Sequence, residues 1–374
     1  MDLELTPEQM ELESIARQVL DDHSPPSLAR DYLEGHGDAS RLWREMAKGG
    51  WYLVGADPDD PFGVPGLCLL ANECGAHVAP TLLVDTALAV RLARPALARG
   101  RRSEQLDKLA AGELTVSLAA IEPSVDWRLD RLTTVAKAHG DEFRLSGVKL
   151  DVHHASTADA LLVPADIGGS IGVFLVDSGT IGLEVTDEGA LDPSSAPLRV
   201  TFSDVVVGAT DALLGENLGG DLASAFSIGA AATAAEGIGA ASGALDLAIE
   251  YSQNRKQFGR PIGSFQALQH LMADAHVLRE TAWSTVLYAA AALDEGTDDA
   301  FEAITIAKAY ASRAMRCVVE AALQVFGGVA FAWEHDIHLF QRRVLECERR
   351  FGDTIHHERD IANALAARIR PQRA

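Results

Sequence analysis

Apolar residues recur at helical spacing from residue 1 to residue 113. The stretch "TPEQMELESIARQVLDDH" opens with Thr6 as N-cap and Pro7 at the first helical position, and Met10, Ile15 and Leu20 are among its apolar residues. In "DASRLWREMAKGG" the residues Leu42, Trp43 and Met46 share one face, and Gly49 and Gly50 mark an end. "DPDDPFGVPG" reads as a loop, after which helical patterning resumes in "CLLANECGAHVA" and "LLVDTALAVRLARPALA". From Leu114 the period changes. "LTVSLAAIEP", "RLTTVAKAHG", "EFRLSGVKLDV", "ADALLVPAD", "GVFLVD", "IGLEVTD" and "LRVTFSDVVV" are short, β-branched and punctuated by Gly, Asp and Pro, which predicts strands. Beyond Leu213 four long helical segments are expected: Ala223–Tyr251, Ser264–Glu295, Asp298–Phe326 and Trp333–Arg370.

The predicted fold is therefore mainly α with a β insert. An N-terminal helical domain (1–113) precedes a central β-barrel-like domain (114–213) and a C-terminal four-helix bundle (214–374).

Composition narrows the function. In 374 residues, 48% are hydrophobic and 23% charged, as in an ordinary globular chain, and the net charge of −22 (32 basic against 54 acidic residues) disfavours a broad basic face for nucleic acid or an anionic membrane. The apolar stretch Ala223–Ile249 is mostly Ala and Gly, too weakly hydrophobic for a membrane span. The acidic start "MDLELTPEQM" has no apolar core, so a cytoplasmic protein is expected. Cys68, Cys74, Cys317 and Cys347 form no CxxC pair, and His153, His154, His356 and His357 have no metal-ligand spacing. Reduced buried thiols at 68 and 74, neutral surface histidines and no metal are the expectation.

One short stretch stands apart. "YSQNRKQFGRPIGSFQALQH" crowds Arg255, Lys256, Gln257, Arg260, Gln266 and Gln269 around Phe258, Gly259 and Pro261, between two Ala-rich helices. Guanidinium and amide donors in a turn suit a small anion such as a pyrophosphate.

This corner, with a Gln eleven residues after Arg255 and with "QVFGGVAFAWEHD" near the end of the third long helix, resembles the acyl-CoA dehydrogenase family across nearly the whole chain. "GDEFRLSGVKL" and the β insert strengthen the likeness. The resemblance implies an FAD enzyme in which a carboxylate removes the α-proton of an acyl-CoA thioester while the β-hydrogen leaves as hydride to the flavin. It also implies an electron-transfer flavoprotein as acceptor, and subunits paired so that each FAD lies across an interface. Carried over to this chain, Arg255, Phe258, Gln266, Gln324, Gly327 and Gly328 would reach the pyrophosphate and adenosine part of a neighbouring subunit's FAD.

The other half of the family's flavin site departs from its pattern. A T-E-P and glycine–serine run is replaced by "IEPSVDWRLD": Glu122 and Pro123 remain, Ile121 stands at the Thr, and Ser124, Val125, Asp126, Trp127 and Arg128 follow. In "GVKLDVHHA", Asp151 takes the place of a Trp that covers the flavin ring, and His153 that of a Thr beside it. A carboxylate there must stay solvated or paired. The two positions at which the family carries its base are Phe351, before Gly352, and Gly229, 26 residues ahead of Arg255. Neither can take a proton. Glu236, two turns beyond Gly229, lies about 10 Å along the axis, and is expected as a structural acid or interface contact rather than a base. Glu334 and His335 are expected to begin the last helix.

Residues that would serve a neighbour's FAD are kept, whereas those serving this chain's own FAD are lost. The resemblance extends to α2β2 members of the family in actinobacterial steroid side-chain breakdown, so a second acyl-CoA dehydrogenase-like chain is the expected partner, with FAD shared at the interface and an acyl-CoA substrate. Two other readings stay open: a homo-oligomeric FAD dehydrogenase with an atypical base such as Glu236, and a non-redox scaffold or acyl-thioester-binding member of the fold.

Overall fold

A computed structural model describes residues 4–56, 60–98, 104–123, 127, 131–215 and 217–369. Ser124, Val125, Asp126, Arg128 and Arg370 of the sequence reading lie outside these. Packing divides the chain into two compact units interleaved in sequence: residues 1–37, 64–80 and 230–374 form one, and 38–63 and 81–229 the other.

The second unit is built on a sheet. Three helices, α3 (Ser40–Lys48), α5 (Leu83–Ala98) and α6 (Glu104–Ala110), accompany eight strands. These are β1 (Val116–Leu118), β2 (Val135–His139), β3 (Glu142–His153), β4 (Ala160–Asp166), β5 (Ile171–Asp177), β6 (Leu183–Thr186), β7 (Pro197–Gly208) and β8 (Ala212–Leu213). All seven stretches read as β contain a strand, and β8 is added. The sheet runs β6-β7-β3-β2-β4-β5-β8, with β1 parallel to β4 and most other pairs antiparallel. Its β4 and β5 are almost wholly buried, as their Leu/Val-rich runs imply. Phe143, Leu145, Phe174, Val200 and Phe202 centre its core.

The first unit is helical: α1 (Pro7–His23), α2 (Pro26–Leu33), α4 (Gly63–Ala76), most of α7 (Leu218–Asn254), α8 (Gln266–Glu295), α9 (Ala300–Phe326), α10 (Ile337–Arg349) and α11 (Thr354–Ile369). A small hairpin, β9 (Lys256–Gln257) with β10 (Arg260–Pro261), joins α7 to α8. Thr6 caps α1 with a full capping box through Gln9, and Pro7 fills the first turn. The Gly63–Gly66 part of the expected loop instead begins α4. On α9, Ile304, Ala307, Ala311, Met315, Val318, Ala322 and Val325 recur every three or four residues and are buried. That periodicity gives α9 a wide buried face, which packs on α8, α10 and α11.

Small residues set how closely α4 meets α7. A Cβ on Gly75 would lie 1.8 Å from the Glu236 carbonyl oxygen, and one on Gly239 1.9 Å from that of Asn72. Only glycine permits this backbone approach.

The fourth long helix is interrupted. Instead of one element from Trp333 to Arg370, α10 and α11 are separated at 350–353, where Phe351 (φ 56) and Gly352 (φ 98) adopt left-handed backbone. Apolar periodicity continues across the break, so the pattern alone conceals it. Glu334 and His335 do not open the last helix: α10 starts at Ile337 with Asp336 as N-cap.

Candidate functional site

The corner after α7 is a two-residue hairpin. Phe258 (φ 52) and Gly259 (φ 80) form its turn, and both have the positive φ that a tight hairpin of this twist demands. Gly259 adopts it freely, but Phe258 carries a bulky ring into a region that costs roughly 1–2 kcal/mol. The ring is 91% exposed, so no burial within the helical unit offsets that strain. It meets Phe265 edge-on at 6.1 Å between centroids, and the Arg260 guanidinium lies 4.1 Å over the other ring. The Ile262 amide donates to the Arg255 carbonyl at 2.8 Å, and Gln269 Nε2 to Gly263 O at 3.0 Å, which fixes the corner to the start of α8.

Helix order brings the second motif to the same end. Helices α8 and α9 form an antiparallel pair of 30 and 27 residues, so the first residue of α8, Gln266, and the last turn of α9, with Gln324, share an end. Tyr251 near the end of α7 stacks on Phe326 at 4.6 Å, and Phe326 meets His335 at 4.4 Å. Arg255, Phe258, Gln266, Gln324 and Gly328 are all exposed, and Gly327 is half-buried.

The donor set fits a dinucleotide pyrophosphate. Among the described residues no ion pair engages the Arg255 guanidinium. No side chain caps the first turn of α8, which leaves the positive end of a long helix open. The Gly327 N–H caps α9 by donating to the Leu323 carbonyl, but Gly327 (φ 61) and Gly328 each have open space where a Cβ would be, which leaves room for a phosphate to approach the backbone there.

The positions of the family's base look different. Phe351 is buried, and Arg350 lies 5.1 Å from its ring. Its carbonyl accepts from His357 Nε2 at 3.0 Å. The wholly buried Lys308 donates to the carbonyls of Cys347 at 2.5 Å and Glu348 at 3.3 Å, which caps the C-terminus of α10. Burial, then the Lys308 charge, holds the His357 imidazole down at about 4. Gly229 is buried within α7. Glu236 is buried and accepts a 2.9 Å hydrogen bond from Arg343 Nη1, which also donates to the Ala79 carbonyl at 2.9 Å. An acid held this way is a structural counter-ion.

In the sheet unit, the Leu150 amide donates to the Ile121 carbonyl and brings the "IEP" segment against β3. There Lys149 Nζ donates to Glu122 at 2.7 Å, and Thr133 N, Thr133 Oγ1 and Thr134 N complete the carboxylate's shell. Burial alone would raise the Glu122 carboxyl, but Lys149 and these hydrogen bonds hold it at about 2. Just beyond, residues 150 and 151 face a single residue of β7 in a bulge, and Asp151 takes φ 57 there. Trp127 meets Phe226 edge-on at 5.9 Å. The expected surface histidines are a correction: His153, His154 and His357 are buried, and His154 packs edge-on to Trp43 at 5.2 Å. Nothing local in "VHHA" signals that long-range contact. Arg343 and Lys308, too, were missed by the sequence reading, since their partners lie far along the chain.

A helical, β, helical order with a cationic hairpin and a glycine turn at one end of the bundle is the arrangement of the acyl-CoA dehydrogenase fold. Residues 221–365 match the acyl-CoA dehydrogenase C-terminal domain. The acyl-CoA dehydrogenase IpdE2 of Mycolicibacterium smegmatis is 30% identical over 330 residues, 87% of this chain and 88% of that protein. The ChsE4–ChsE5 complex from Mycobacterium tuberculosis aligns with a TM-score of 0.83 at 25% identity, over 98% of this chain and 99% of that one. A variant of the steroid ACAD Tcur3481–Tcur3483 aligns at 0.82 with 29% identity, over 96% and 98%. The chain belongs to the acyl-CoA dehydrogenase family, whose members are FAD-dependent oxidoreductases.

Proposed function

We propose that this chain is the FAD-completing subunit of a heteromeric acyl-CoA dehydrogenase that introduces an α,β double bond into an acyl-CoA thioester. One observation carries the reading. All six residues suited to a neighbour's dinucleotide are present at one end of the bundle, while Phe351 and Gly229 hold the base positions and Glu236 is bound to Arg343. Similarity to two-component assemblies, ChsE4–ChsE5 and Tcur3481–Tcur3483, supports a second acyl-CoA dehydrogenase-like chain as partner in an α2β2 complex. The name of the latter favours a bulky steroid-type thioester as the substrate class.

In this reading the partner supplies the carboxylate that takes the α-proton, and FAD, when bound, accepts the β-hydrogen as hydride. Arg255, Gln266, Gln324 and the Gly328 amide would hold the cofactor's phosphates, with Gly327 leaving room beside them, and Phe258 would lie against its adenosine part. An electron-transfer flavoprotein is the proposed electron acceptor of the complex, and the cytoplasm its proposed location. Locked by Arg343, Glu236 cannot serve as the base of a homo-oligomeric enzyme without breaking a buried ion pair.

Flavin absorbance of the chain purified alone, and after co-expression with the partner, tests this. The chain alone should be colourless and the pair yellow, bleaching with acyl-CoA. Full flavin occupancy in the chain alone would sink the proposal.

A further inference from the structure

The loop that follows the glycine turn is held by a residue from the other end of the sequence. Arg30 of α2 donates through Nη1 to the Trp333 carbonyl at 2.5 Å and through Nη2 to the Glu334 carbonyl at 3.2 Å. The same guanidinium pairs with Asp336, the N-cap of α10. His338 Nε2 adds a fourth tie, to the Trp333 carbonyl at 3.2 Å, while its ring stacks on the Trp333 indole at 5.3 Å and 21° between planes. A planar guanidinium spanning two carbonyls and a carboxylate fixes backbone direction in a way that a lysine cannot.

This rigid loop presents aromatic surface. Trp333 is 48% exposed and Phe331 89% exposed, although each could bury a large apolar area. Both lie within five residues of Gly328, at the end where the phosphate donors gather. An indole stacked on an imidazole and still 48% exposed offers ring surface on which a flat ring can stack.

We propose that Trp333 stacks the adenine ring of the dinucleotide and that Arg30 is the positioning residue that holds the loop for it. This rests on the proposed function. Arg30 touches no ligand; it acts through the Trp333 and Glu334 carbonyls. The loop thereby adds a base-reading surface to the phosphate-reading one at Gly327–Gly328.

The test measures FAD and FMN Kd in the complex of this chain with its co-expressed partner, by flavin fluorescence, for Trp333→Ala, Trp333→Phe, Arg30→Ala, Arg30→Lys and Arg255→Ala. Trp333→Ala should weaken FAD roughly tenfold, the usual scale for losing a base–aromatic stack. Trp333→Phe should stay near wild type. Arg30→Ala and Arg30→Lys should each weaken FAD, and Arg30→Ala combined with Trp333→Ala should be no worse than Trp333→Ala alone. FMN, which lacks adenine, should be unaffected by changes at 30 and 333. If Arg255→Ala weakens FAD while every change at 30 and 333 leaves it alone, this inference fails and the proposed function stands. An FMN loss equal to the FAD loss overturns the adenine assignment. If Arg255→Ala is also silent, the proposed function fails, and this inference with it.

Discussion

Arg343 Nη1 donates to Glu236 at 2.9 Å, and the same nitrogen donates to the Ala79 carbonyl. Both side chains are buried, so each supplies the counter-charge that lets the other leave water. Removing one partner strands the other. Glu236→Ala or Arg343→Met should therefore cost about 3 kcal/mol or more in urea unfolding, the scale for breaking a buried pair. In the complex, single-turnover bleaching by acyl-CoA should survive Glu236→Gln. Loss of bleaching with flavin still bound would return Glu236 to the list of bases.

The Lys149–Glu122 pair gives the sheet unit an acid limit. The Glu122 carboxyl sits at about 2 in the folded chain against 4.5 for an ordinary glutamate. A depressed acid contributes stability above its unfolded value and loses it as pH falls through the folded one. The contribution is complete above about pH 5 and is lost as pH falls toward 2. Glu122→Gln should remove most of the slope of stability against pH in that window. A slope equal to wild type would show that the pair does not carry it.

His357 behaves as a second, higher acid limit. Its imidazole is held at about 4 against 6.5, by burial first and the Lys308 charge second. The folded chain therefore resists binding a proton that the unfolded chain takes. Stability is full above pH 6.5 and falls as pH drops toward 4, by roughly 3 kcal/mol. His357→Gln, which can keep a donor near the Phe351 carbonyl, should flatten stability between pH 6.5 and 4. Protection of the amides at 350–353, after correction for the intrinsic slowing of exchange with falling pH, should drop across the same range in wild type only.

Much of this was legible in the sequence, for a local reason. Strand runs such as "ALLVPAD" and the capped start at Thr6 are decided by neighbours a few residues away, and the structure has them at β4 and α1. The hairpin donors and the glycine turn are local signals too. What stayed hidden depends on distance along the chain. Arg30 meets Asp336 across 306 residues, and Glu236 meets Arg343 across 107. The break at 350–353 was concealed because Phe351, no helix breaker by type, takes the left-handed backbone beside Gly352. His154 reads as polar and surface-bound until Trp43 covers it.

Phe258 sets stability against function. At φ 52 its backbone is strained, and its exposed ring recovers little from packing within the helical unit. Phe258→Gly removes the strain, and against its greater unfolded-state entropy the net effect on the chain should be neutral to about 1 kcal/mol stabilising. On the proposed function, that strain serves a contact of the ring with the partner's FAD. The same substitution should accordingly weaken FAD in the complex severalfold, while Phe258→Tyr keeps both the ring and the affinity. Thermal unfolding of the chain and FAD titration of the complex, run on the same variants, separate the two effects. A glycine variant that binds FAD as tightly as wild type would leave the strain at Phe258 without a functional cause.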